Sequence, residues 1–221
     1  MYYIKEQASP LISDVSEVIG LLVSNFPGVD YGPLYYRALD RDKITALKAH
    51  RGNYSSPMQL SSHSLEELDW WIHNVSQSKR DIVHPNPSIL LQSDASKLGW
   101  GAVCMDESIG GGWTPAEATA HINILQLQAA FFALKSFARE VSNTHIQLQM
   151  NNTTAVAYLN NMGGSQSSEL NALTRAIWEL AMKKSNWLSA VHIPGKHNIE
   201  ADKESLNFSD RHETGTQQRR V

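Results

Sequence analysis

Residues 89–105 read Ile89-Leu90-Leu91-Gln92-Ser93-Asp94-Ala95-Ser96-Lys97-Leu98-Gly99-Trp100-Gly101-Ala102-Val103-Cys104-Met105. Ile89–Ser93 is a short apolar run, and Gly99–Met105 is a second run of strand character broken by glycine. With a Gly-rich turn at Gly110-Gly111-Gly112, the stretch predicts three strands in meander order. Asp94 closes the first strand. A carboxylate at the carboxyl end of a strand faces the crevice where α/β sheets take their ligands.

Working outward, residues 122–139 predict a long helix with Ile124, Leu127, Ala130, Phe131, Leu134 and Phe137 on one face. His145–Met150 alternates apolar and polar residues and predicts a strand. Thr153–Asn161 is a short helix stopped by Gly163-Gly164, and Glu169–Lys184 is a longer one whose final lysines suit its negative dipole end. Trp187–Ile193 is a last strand, Pro194-Gly195 a turn and Ile199–Leu206 a closing helix, followed by a flexible tail over 210–221. The order βββαβααβα predicts a mixed five-stranded sheet flanked by helices, with the first three strands antiparallel and the later two parallel beside the first.

The first 75 residues are different in character and predict a helical segment, joined through a linker at 76–88 to the sheet domain at 89–209. Asp14 is placed to cap a helix carrying Val15, Val18, Ile19, Leu22 and Val23, which Asn25-Phe26-Pro27-Gly28 ends. Tyr31–Arg37 reads as an aromatic loop and Asp42–His50 as a short helix. Ser64-Leu65-Glu66-Glu67 has the capping-box pattern, opening a helix that ends with Leu68, Trp70, Trp71 and Ile72. The tryptophan pair is expected to be packing surface, anchoring the segment against the next domain.

Composition bounds the rest. The 221 residues, 42% hydrophobic and 19% charged, suffice for one ordinary core plus a smaller extension and exclude a disordered tail. A net charge of −3 excludes a polybasic protein held on nucleic acid by bulk charge. One cysteine, Cys104 in an apolar run, excludes an internal disulfide framework and a cysteine-rich zinc site. No apolar stretch approaches the ~20 residues of a membrane span, and no secretory signal is visible. A soluble, intracellular protein, cytoplasmic or nuclear, is expected, and Asn53-Tyr54-Ser55 is then a chance match to the glycosylation pattern.

The chemistry starts from Asp94 and Asp202, the latter inside the closing helix just past a turn that returns the chain to the same sheet edge. Two convergent carboxylates suit a hard divalent cation such as Mg²⁺. Three further stretches stand in order between them: His121-Ile122-Asn123-Ile124-Leu125, Asn152-Thr153-Thr154-Ala155-Val156-Ala157-Tyr158, and His192-Ile193-Pro194-Gly195 leading to Asn198-Ile199-Glu200-Ala201-Asp202. Together with Leu91–Ser96 and Gly99–Ala102, they make residues 89–213 resemble the RNase H domain of retroelement polyproteins, most nearly DIRS-like and gypsy-like reverse transcriptases. Residues 15–75 resemble the connection segment that follows the polymerase in the same polyproteins, while the polymerase palm is absent.

The resemblance implies an RNase H-like fold and cleavage of RNA in RNA/DNA hybrids by two Mg²⁺ (or Mn²⁺) ions about 4 Å apart, held by an Asp, a Glu, an Asp and an Asp. Carried over by motif, the first Asp falls on Asp94 and the last on Asp202, the two expected metal ligands. The Glu position holds Gln126 and the third carboxylate position holds Asn151. Amides keep the shape and a carbonyl oxygen but supply no negative charge. At an effective dielectric of ~20 each lost charge forfeits on the order of several kcal/mol before screening. Weak metal binding and impaired cleavage are therefore expected.

His192 is a candidate for proton handling or product release, with His197 as its substitute. Ser96 and Asn152 correspond to positions that contact 2′-hydroxyls and phosphates of the RNA strand. Glu117, Glu200 and Glu204 are read as surface charge. Only Arg175 is basic between Gly163 and Ala181, so hybrid binding should be weak without an attached polymerase domain. The alternative is a non-catalytic scaffold or nucleic-acid-binding module; another nuclease or integrase on this fold is disfavoured by the motifs around Asp202.

Overall fold

The computed structural model describes residues 1–80 and 84–206, which form two units, Met1–Val83 with Met162–Asn171 and His84–Asn161 with Ala172–Val221. The expected tail lies outside the described residues.

In the first unit the helices are α1 (Tyr2–Glu6), α2 (Ile12–Ser24), α3 (Arg37–Ala49) and α4 (Ser62–Asn74), with a 3-10 turn at Gly32–Leu34. The apolar spacing of α2 buries Ile12, Val15, Val18, Ile19 and Leu22, as expected. Its N-cap is Leu11 and Asp14 lies in the first turn, where its charge suits the dipole without capping.

Helix α3 starts at Arg37, well before the expected Asp42. The reason lies in α4. There Ser61 is the N-cap, accepting from the Ser64 amide at 3.3 Å. Glu67 reaches away from its own helix and accepts the amides of Ala38 (3.0 Å) and Leu39 (3.0 Å). The apparent capping box is thus one helix's cap residue and the cap of another. Trp71 is buried with its Nε1–H donating to the Tyr35 carbonyl at 2.8 Å, and Trp70 stacks on Tyr35 with centroids 4.0 Å apart. The tryptophan pair packs against aromatics of its own unit.

The second unit holds β1 (Ile89–Ala95), β2 (Gly99–Cys104), β3 (Glu107–Gly112), α5 (Ile122–Phe137), β4 (His145–Met150), α6 (Thr153–Asn160), β5 (Trp187–His192) and α8 (Ile199–Leu206); α7 spans Ser168–Met182. The sheet order is β3-β2-β1-β4-β5, with β1–β2 and β2–β3 antiparallel and β1–β4 and β4–β5 parallel. This is the expected mixed sheet. Its core is built from Leu91, Ala102, Leu125, Leu127, Ala129, Ala130, Ile146, Leu148 and Met150. The outer edge of β5 is closed by Asn160, whose amide donates to the Ala190 carbonyl and accepts its N–H, both at 2.8 Å.

Two expectations change. Helix α5 buries Leu125, Gln126 and Ala129 beside Leu127 and Leu134, while Ile124, Phe131 and Phe137 are half-buried. A helix apolar nearly all round does not announce its inner face, and the one polar residue in the buried set is Gln126. Gly110-Gly111-Gly112 is strand, not turn; the chain reverses at Met105-Asp106. Gly110, and Gly101 opposite it on β2, make room for α8 on the sheet. A Cβ on Gly101 would stand 2.2 Å from the Ala201 carbonyl oxygen, and one on Gly110 2.9 Å from that of Glu204. Among the described residues no helix is long and apolar enough to cross a membrane.

Candidate active site

The site follows from sheet register. In the parallel pair, Gln92 stands opposite Gln149, so two residues further along Asp94 meets the position of Asn151. In the antiparallel pair Asp94 stands opposite Gly101, the residue whose missing side chain lets α8 approach. Asn198, fully buried, donates from Nδ2 to the Ser93 carbonyl at 3.1 Å and accepts the Asp202 amide on its own carbonyl at 3.0 Å. It pins the start of α8 beside β1 and orients the helix turn that carries Asp202. The sequence motif contained Asn198 without announcing this positioning role.

Asp94 is 3% exposed. Its Oδ1 accepts the Gln126 Nε2–H at 2.7 Å and its neighbour Ala95's N–H at 2.8 Å, and its Oδ2 accepts the Asn151 Nδ2–H at 3.4 Å. Gln126 Nε2 also donates to the Ala95 carbonyl at 3.1 Å. Burial pushes the Asp94 carboxyl above its ordinary value; the Gln126 and Ala95 hydrogen bonds oppose this, and the nearby Asp202 carboxylate adds to it. Asp202 itself is exposed. The four positions assigned by motif, 94, 126, 151 and 202, therefore gather around one carboxylate.

The frame that gathers them is the expected mixed five-stranded sheet with flanking helices. No protein-family model matches the chain, and no curated protein matches it. Among solved structures it is similar to RNase H1 from the halophilic archaeon Halobacterium salinarum, at 18% identity and TM-score 0.45 over 54% of this chain and 97% of that one. It is similar to LC11-RNase H1 in complex with an RNA/DNA hybrid, at 20% identity and TM-score 0.46 over 57% of this chain and all of that one. It is also similar to the foamy viral protease-reverse transcriptase in complex with an RNA/DNA hybrid, at 10% identity and TM-score 0.33 over 99% of this chain and 28% of that one.

The donor set of this site does not fit a pair of divalent cations. Asp94 and Asp202 are its only carboxylates at the motif positions, and both Asp94 oxygens already accept N–H groups. Among the described residues no group of three His, Cys, Asp or Glu side chains is placed to hold a metal ion. Glu117 accepts the Thr114 amide and hydroxyl at 2.8 and 2.7 Å, and Glu204 accepts from Ser108 Oγ at 3.1 Å, so both carboxylates have partners elsewhere.

The remaining candidates have definite places. His192 is exposed at the end of β5, opposite Met150 in the register. His197 is exposed in the 3-10 turn Gly195–His197. Ser96 donates its hydroxyl to the Ser205 carbonyl at 2.7 Å and accepts the amides of Leu98 and Gly99 at 3.0 and 3.2 Å, closing the β1–β2 turn and tying it to α8. Asn152 caps α6 by accepting the Ala155 amide at 2.9 Å and donates to Asn123 Oδ1 at 2.9 Å. Asn123, on the first turn of α5, thereby joins the group through a contact that linear spacing does not reveal. Arg175 is paired with Glu179 at 2.9 Å.

Proposed function

We propose that this chain is a retroelement-derived RNase H domain of DIRS-like or gypsy-like type, preceded by a connection-like segment at residues 1–75. Its ancestral reaction is endonucleolytic cleavage of RNA in RNA/DNA hybrids, and that reaction is weak or absent here. The observation that carries the reading is the contact between Asp94 and the two amides: where four carboxylates would share cations, Gln126 and Asn151 donate hydrogen bonds to one of them. Asp94 and Asp202 would hold Mg²⁺ or Mn²⁺ weakly. His192 and His197 keep the exposure a proton-handling or product-releasing group needs.

Hybrid is the proposed nucleic-acid partner, held weakly. Asn152 retains one amide hydrogen beyond its bond to Asn123, whereas the Ser96 hydroxyl donates within the fold. The single cation of the 163–181 stretch is paired, which leaves grip on the phosphate backbone to an attached reverse transcriptase polymerase domain. An arrangement in which both Asp94 oxygens accept N–H groups also suits the second reading, a non-catalytic scaffold or binding module.

The deciding experiment incubates the purified chain and its double reversion Gln126→Glu, Asn151→Asp with labelled hybrid in Mg²⁺ and in Mn²⁺. Cleavage by the reversion alone is the expected result. Equal cleavage by the chain as it stands would show that other ligands serve the metals. Neither cleavage nor hybrid binding by either form would favour the scaffold.

A further inference from the structure

We infer that hydrogen bonds have replaced cations as the force that holds this centre together, so that Asp94 is now a structural node and the domain's stability is independent of divalent metal. The inference rests on the RNase H reading of the site and concerns what became of it. A carboxylate that is 3% exposed must be compensated. Here both carboxylate oxygens have donors without a metal, and these come from three places in the chain: the Ala95 amide of β1, Gln126 of α5 and Asn151 after β4. Asp94 therefore ties a helix and a neighbouring strand end to its own strand.

The orientation of Gln126 is forced. Its Nε2 lies 2.7 Å from Asp94 Oδ1 and 3.1 Å from the Ala95 carbonyl oxygen, both acceptors, so only the NH₂ end of the amide can face them. Turning the amide to offer Oε1 to a cation would set that oxygen against the Ala95 carbonyl and strip both acceptors of their donor. Oε1 points the other way and is buried without a partner. A glutamate in the same rotamer would put anionic oxygens against the Ala95 carbonyl and Asp94, and in the buried place of Oε1. A cation, or a proton held between the two carboxyls, would then relieve the site. The two side chains thus define alternative solutions to one electrostatic problem, one self-contained and one dependent on a cation or a shared proton.

The test is thermal unfolding of the full chain in EDTA, in about 10 mM MgCl₂ and in about 1 mM MnCl₂ at matched ionic strength, since a ligand that binds only the folded state raises Tm with concentration. The wild-type Tm should agree within roughly 1 °C across the three conditions, whereas the Gln126→Glu, Asn151→Asp reversion should melt several degrees lower in EDTA, roughly 3–8 °C, and recover with Mn²⁺. A saturable rise of the wild-type Tm with either metal, or a reversion as stable as wild type in EDTA, overturns the inference.

Should the reversion not fold, Gln126→Met serves. It removes the donor and keeps the length, and it should lower Tm equally with and without metal. An unchanged Tm refutes the node. In ¹H–¹⁵N spectra the Gln126 side-chain amide should exchange slowly with water, and fast exchange refutes it too. The hybrid-cleavage assay separates the two levels. A reversion that folds on Mn²⁺ yet cleaves nothing overturns the RNase H reading and leaves the hydrogen-bonded node standing. A wild type stabilised by Mg²⁺ overturns the node while the reversion's cleavage upholds the reading.

Discussion

Among the described residues each unit buries one carboxylate, and they are satisfied in different ways. Glu67, 2% exposed, accepts the backbone amides at the start of α3. Asp94, 3% exposed, accepts one backbone amide and two side-chain amides. Backbone donors at a helix terminus are present whatever the side chains are, so Glu67 is a capping device whose chemistry belongs to the fold. Two of the three donors to Asp94 are side chains, each one atom's change away from an anion. The first arrangement is structural by construction, whereas the second, on the proposed reading, is a reactive centre converted to a structural one by two isosteric replacements.

The largest expected effect comes from undoing that conversion. The Gln126→Glu, Asn151→Asp reversion should raise hybrid cleavage in Mn²⁺ by on the order of 10³-fold, since each 1.4 kcal/mol regained in metal affinity is tenfold and each charge contributes several. A gel assay on labelled hybrid reads it, and a gain below tenfold would mean the charge deficit is not what limits the reaction.

Next, Gly101→Val tests whether the site depends on the close approach of α8. A side chain 2.2 Å from the Ala201 carbonyl oxygen has nowhere to go, and the helix carrying Asp202 must lift. A loss of about 3 kcal/mol or more is expected in urea unfolding. An effect below about 1 kcal/mol would show that α8 is not docked there.

Glu67→Ala sharpens the contrast from the other side. It leaves the buried amides of Ala38 and Leu39 without acceptors and should cost about 2 kcal/mol, in EDTA and in metal alike. A metal-dependent loss would break the distinction between the two carboxylates.

The smallest effect is a pH dependence. The Asp94 carboxyl titrates above its ordinary 3.8, first because of burial. The folded chain therefore holds this proton more tightly than the unfolded one, and stability is lost as pH rises through that window. Asp94→Asn, which keeps an acceptor for Gln126 and Ala95, should gain on wild type between pH about 4 and pH about 7. Urea titrations at the two pH values measure the difference, and a gain that shrinks with rising pH would contradict the raised value.

Much of this was legible in the chain. The alternation in His145–Met150, the apolar run ending at Asp94 and the turn at Pro194-Gly195 placed the strands and their order, because period and punctuation are local properties. The motif order also singled out positions 94, 126, 151 and 202. Less could be read where one element answers another. Glu67 looked like a capping-box partner in its own helix and caps α3 instead; the triglycine looked like a turn and is a strand under a helix.

What the sequence determined by itself was the succession of elements and the identity of the side chains at four assigned positions, two acids and two amides. What only the tertiary structure decided was which way those amides face and what they do there. Hydrogen-bond direction depends on the acceptors that surround a group. The Ala95 carbonyl and Asp94 are brought to Gln126 by the packing of α5 on β1, across a separation in sequence that local periodicity does not span.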